Sequence, residues 1–332
     1  MSQFLRALPK AELHVHLEGS VPAELAVKLA ARNGTPLPTS DPARLYRTWA
    51  GLADFLVTYE AVCAAIVTPA DMAEVAYEAQ AQAARLGNVR YREIFFNPTN
   101  HPSMTYRQQL EAVLDGLASA ETDFGIVGRL IPAINRSQPV SVANDLVREV
   151  IAHRRDEVLG IGLDHDDSVG PAPLFAEAFA LAARNGLRRT AHAAEAHTPG
   201  QITDSLDVLG CDRIDHGYLA LADAAITARL RDEGTHVTTC WGTCCAHNPG
   251  RSQADQPIVE MTAASLNISI NSDDPPMLGT DLGSEFVAAG LAMGWTREQG
   301  IAMSLAALDG AWLDDSDRAA LRRSFEAEIA AL

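Results

Sequence analysis

Residues 11–20 read AELHVHLEGS, with His14 and His16 separated by one valine. Side chains alternate across a strand with a period of two, so both imidazoles face one side while Leu13, Val15 and Leu17 face the other. A lone buried histidine is usually a satisfied core residue. Two neutral imidazoles on one face lack mutual donors and acceptors unless a metal ion or a polar group lies between them. The stretch therefore reads as a buried strand that ends in a candidate metal-binding pair.

Outward from this strand, apolar β-like runs alternate with alanine-rich amphipathic stretches. After LHVHL at 13–17, the runs lie at 89–96, 126–134, 158–164, 188–193, 213–215, 236–240 and 267–271. Between them come helical patterns such as PLFAEAFALAARNG and LADAAITARLRDEG, closed by glycine as a helix C-cap. Eight strand–helix alternations with no linker or repeat predict one α/β domain over residues 1–332, a single (β/α)8 TIM-type barrel. Residues 22–87 hold extra helices inserted after the first strand, expected to lie over the active-site mouth.

The 332 residues are 47% hydrophobic, enough for a large core. The 43 acidic against 26 basic residues give a net charge of −17, which disfavours nucleic acid and anionic membranes as partners. The N-terminal stretch MSQFLRALPKAE has no signal-peptide character, and no apolar run of about 18 residues could span a bilayer. Five irregularly spaced cysteines fit a reducing compartment, so a cytoplasmic protein acting on a small molecule is expected. The sequence is compatible with a homo-oligomer.

A barrel of this kind carries its catalytic groups at the C-terminal ends of the strands. There the sequence places HVHLEG, HAAE with His192 and Glu195, RIDHG with Asp215 and His216, and NSDDPP with Asp273 and Asp274. Each motif alone is ordinary: HxH can be core, DHG a turn, and Asp-Asp before proline a solvated loop. Their shared location is not. Three histidines and an aspartate converging from strands one, five and eight suit zinc or a similar divalent ion. The segment CWGTCCAHN, with Cys240, Cys244, Cys245 and His247, offers a weaker metal reading because its cysteine spacing lacks a second pair. It reads better as a buried strand end followed by a loop at the barrel mouth.

On these motifs, in this order and spacing, the sequence resembles the adenosine/adenine deaminase family of metal-dependent barrel hydrolases. The resemblance covers nearly the whole chain. It implies one zinc ion per chain held by His14, His16, His192 and Asp273, with Glu195 as proton donor to the purine ring. It further implies that His216 orients the attacking water and that Asp274 meets ring nitrogen 7. A general acid at Glu195 must be protonated when substrate arrives, and burial beside another carboxylate should raise Asp274.

Three details favour adenine as substrate: Glu18 in HLEG, EIFFNP at 93–98, and RIDHG. Glu18 is expected to fill the space a sugar would need. Two details depart from the family: Ala194 stands where HAGE has glycine, narrowing the pocket while its N–H still reaches the ring, and CWGTCCAHN replaces a Cys-Pro-x-Ser-Asn type loop. Adenosine or a modified 6-aminopurine is the alternative substrate. A different amidohydrolase reaction and a non-catalytic purine-binding protein are the readings from other classes.

Overall fold

The structure is a computed structural model that describes residues 1–47 and 51–332. The strands are β1 (Lys10–His16), β2 (Val89–Phe96), β3 (Val127–Asn135) and β4 (Gly160–Asp164), then β5 (Arg188–Ala193), β6 (Arg213–His216), β7 (His236–Cys240) and β8 (Ile268–Asn271). They lie parallel in chain order, each hydrogen-bonded to the next. The ring closes just beyond the end of β8, where the His16 N–H donates to the Asp273 carbonyl at 2.9 Å and the Asp273 N–H to the His14 carbonyl at 3.2 Å. Closure is thus made by the candidate metal ligands' own backbone. This is the barrel the alternation predicts.

Strand β1 starts three residues earlier than its apolar pattern suggests, because Lys10 and Glu12 are buried charges with dedicated partners. The Lys10 ammonium donates to the carbonyls of Arg6, Leu8 and Gly87. Glu12 pairs with Arg92 at 2.6 Å. Lower in the barrel, Arg213 pairs with Glu93 and donates to the Leu13 carbonyl at 2.9 Å. Buried ions persist where their donors and acceptors are largely met, and among these groups the Arg213 Nε alone lacks a partner.

The insert at 22–87 divides in two. The helix Leu52–Ala65 carries Leu52, Phe55, Leu56 and Tyr59 onto the wall of the main cavity. The helix Pro69–Gly87 instead packs against Tyr106–Phe124 and β2 in the outer ring, so it is barrel wall and does not cover the mouth. Its Thr68–Asp71 capping box and the left-handed Asn88 at its C-cap are the local signals that fix its ends.

Candidate active site

Of the side chains singled out at the strand ends, His16, His192, Glu195, His216, Asp273 and Asp274 line one cavity of about 400 Å³, and His14 lies beside them. Phe95, fully buried on β2, packs against the imidazoles, its ring centroid 5.1 Å from those of both His14 and His16 and 5.7 Å from that of His192. Ligand atoms of His14, His16 and His192 lie within 4.8 Å of one another. Asp273 Oδ1 stands 3.2 Å from His14 Nε2 and 3.4 Å from His16 Nε2.

Two observations show that this set fits a divalent ion. Nε2 of His14 and of His192 are buried without a hydrogen-bond partner, an arrangement whose cost is removed when the nitrogens coordinate a metal. The surroundings also demand positive charge: burial pushes the His16 imidazole down, but Asp274, Asp273 and Asp164 together raise it to about 10. Neighbouring groups orient the ligands, His14 Nδ1 lying 3.0 Å from Thr238 Oγ1, which in turn donates to Asp215. Thr243 donates to Asp273 Oδ2 at 2.5 Å.

The cysteine-based alternative does not assemble. Cys240 lies within 4.8 Å of donor atoms of His14, His216 and Asp273, but burial raises its thiol well above the usual range. Cys244 and Cys245 turn away to Gln256 and Gln253.

Glu195 sits on the rim turn beyond β5, its N–H held by Asp167 at 3.1 Å. Its carboxylate lies between two imidazoles, His247 Nε2 at 2.9 Å and His216 Nε2 at 3.8 Å. Burial pushes this carboxyl up, but His216 and His247 outweigh it and hold it below the ordinary glutamate range. A general-acid role would therefore require Glu195 to gain a proton when substrate binds. Burial keeps His216 low. Asp274 behaves as expected, raised well above the carboxylate range by burial and then by Asp273, Glu195 and Asp164 against the opposing pull of His16. Its Oδ1 is buried and unpartnered.

Two further expectations are corrected. Glu18 is fully buried and does not line the cavity, because the 3-10 turn Glu18–Ser20 aims it at the end of β2. There it accepts from the Asn97 N–H at 2.9 Å and meets His101 Nε2 at 3.0 Å and the Tyr59 hydroxyl at 3.4 Å. It supports Tyr59, which does line the cavity, and cannot itself fill a sugar subsite. The Ala194 N–H, expected to reach the ring, is donated to Gln201 Oε1 at 2.9 Å.

The sequence reading missed Asp164 and His165 at the end of β4, and Tyr59, all facing the cavity. Asn97 Nδ2 donates to both Asp164 oxygens, at 3.0 and 2.8 Å, and its Oδ1 accepts from Tyr59. The signal for Asp164 was present, since GLDHDD ends a strand in acids and histidine as the other motifs do.

A closed parallel barrel whose strand ends gather candidate metal ligands, a buried carboxylate between imidazoles and a second buried carboxyl group defines an amidohydrolase-type enzyme. The adenosine deaminase family model matches residues 9–327. An adenine deaminase of Streptomyces coelicolor is 35% identical over 98% of this chain and 96% of its own length. The crystal structure of an adenine deaminase from Arthrobacter aurescens superposes with a TM-score of 0.90 at 31% identity, covering 98% of both chains. That of an amidohydrolase from Burkholderia ambifaria, with bound zinc, gives 0.92 at 32% identity over 99% of this chain and 93% of that one. The chain belongs to the adenosine deaminase family, and it is a hydrolytic deaminase.

Proposed function

We propose that the protein converts adenine and water to hypoxanthine and ammonia, with one zinc ion held by His14, His16, His192 and Asp273. The observation that carries the chemistry is the close cluster of His14, His16, His192 and Asp273, two of its imidazole nitrogens without a hydrogen-bond partner, beside the cavity that Glu195, His216 and Asp274 line. The relatives named adenine deaminases over nearly the full chain support adenine as the purine.

When bound, a divalent ion acts as a Lewis acid and lowers the pKa of water enough to make it a nucleophile near neutrality. The remaining roles fall to the protein. His216, kept neutral by burial, orients the attacking water over carbon 6 of the ring. Glu195 delivers a proton to ring nitrogen 1 as that carbon becomes tetrahedral, having taken that proton up as the substrate binds beside it. Asp274, kept protonated by burial and neighbouring carboxylates, donates its hydroxyl to ring nitrogen 7. The outer wall of Leu52, Phe55, Leu56, Tyr59 and Leu278 excludes water from the ring.

Among the described residues that line the cavity there is no lysine or arginine, so a phosphate would meet no strong cation. A nucleotide is disfavoured on that ground. The test is competition among adenine, adenosine and adenosine monophosphate for zinc-loaded protein, followed by product formation. Adenine should have the highest specificity constant, and equal or greater specificity for adenosine overturns the substrate assignment. Glu195→Gln should retain its zinc and lose about 10²–10⁴ in turnover. A value within about threefold of wild type contradicts its role.

A further inference from the structure

The seven-residue helix Trp241–His247 follows β7 and is the segment in which the sequence departs from the family's usual loop. Thr243 and His247 are four residues apart on this helix and therefore share a face. Thr243 donates to Asp273 Oδ2 at 2.5 Å, and His247 Nε2 lies 2.9 Å from Glu195 Oε1. One helix thus reaches two functional carboxylates that arrive from opposite parts of the barrel, one after β5 and one after β8.

Glu195 has three freely rotating side-chain torsions, and its backbone bond to Asp167 does not fix them. Among the described residues, His247 makes the closest ionic approach to the carboxylate, Nε2 lying 2.9 Å from Oε1, while His216 Nε2 stands 3.8 Å from Oε2. Resting on the deaminase reading, we propose that His247 is a positioning residue for the reaction. Its Nε2–H, donated to Oε1, fixes the rotamer in which Glu195 meets the ring, with Oε2 on the His216 side. The helix C-terminus at His247 favours an imidazolium there, which strengthens the donated bond. Misplacing a catalytic group by about 1 Å can cost about 10²-fold in rate, so this single contact is enough to govern turnover.

The test compares His247→Ala and His247→Gln as zinc-loaded proteins. His247→Ala should keep its zinc and melting temperature, lose about tenfold to a hundredfold in kcat with KM within about threefold, and regain part of the loss with added imidazole. His247→Gln, which can still donate to Oε1, should lie between wild type and His247→Ala. Unchanged kcat, a loss confined to KM, or a loss matched by loss of zinc overturns the proposal. A crystal structure of His247→Ala supplies a readout independent of turnover: Glu195 should leave its present rotamer, and an unchanged rotamer overturns the inference. A wild-type protein that deaminates no 6-aminopurine would instead overturn the proposed function, and the crystallographic result would still decide the role of His247.

Discussion

Ala194 occupies a left-handed backbone conformation, with φ at 55°, in the turn that carries the chain from His192 to Glu195. A β-carbon there costs about 1–2 kcal/mol, while glycine's extra freedom in the unfolded chain takes back about 0.5–1. Ala194→Gly should therefore stabilise the protein by roughly 0.5–1 kcal/mol in urea unfolding, and a loss of stability would show that the methyl's packing outweighs the strain. Gly19 presents the opposite case. A β-carbon added there would stand 1.7 Å from Asp274 Oδ1 and 2.8 Å from Asp274 Cβ, so the carboxyl group would have to move. Gly19→Ala should cut turnover by about 10²-fold while zinc content stays near wild type, and turnover near wild type would mean that Asp274 does not need its present place. The contrast explains what was legible at this scale. His14, His16, His192 and Asp273 could be read from strand period and strand end. The direction of Glu18 and the partner of the Ala194 N–H depend on turn geometry and on Gln201, which no local pattern encodes.

Among elements, the helix Leu282–Ala292 is tied to the start of Trp241–His247 by Glu285. Its carboxylate accepts from the Gly242 N–H at 2.7 Å and from Thr280 Oγ1 at 2.6 Å. Burial nevertheless lifts its pKa from 4.5 to about 7. The folded value exceeds the unfolded one, so between these values the native state binds more protons than the unfolded chain. The group's stabilising contribution is complete below pH 4.5 and is lost as pH rises to about 7. Glu285→Gln removes this dependence: the variant should be within a few tenths of a kcal/mol of wild type at pH 4 and exceed it at pH 8 by up to about 3 kcal/mol, at about 1.4 kcal/mol per pH unit. Urea unfolding at the two pH values checks this, and an identical pH dependence in both proteins would contradict it. The strands were legible because buried parallel strands are short apolar runs bounded by glycine and charge. The helix Trp241–His247 was read as a loop because seven residues are too few to show a period.

At the scale of the whole molecule, the candidate metal ligands are also the seam of the barrel. β1 and the end of β8 are joined by the two backbone bonds at His14, His16 and Asp273, and by Asn271, whose Oδ1 accepts from the Leu13 N–H at 2.8 Å. A metal ion held by side chains from β1, β5 and the end of β8 therefore ties together parts of the chain that unfolding separates. Binding to the native state alone stabilises by RT ln(1 + [L]/Kd), about 4 kcal/mol at a thousandfold excess over Kd. Zinc-loaded protein should melt well above chelated protein, and the difference should grow with free zinc concentration. His14→Ala should lose most of that difference. Asn271→Ala weakens the same seam without removing a ligand, since its Nδ2 donates to the Thr239 carbonyl at 3.1 Å and its Oδ1 holds β1. It should lower both melting temperatures and leave their difference nearly intact. If wild type shows no zinc-dependent shift, or if His14→Ala and Asn271→Ala reduce the shift equally, the ligand assignment fails, because zinc would then be acting somewhere other than the seam.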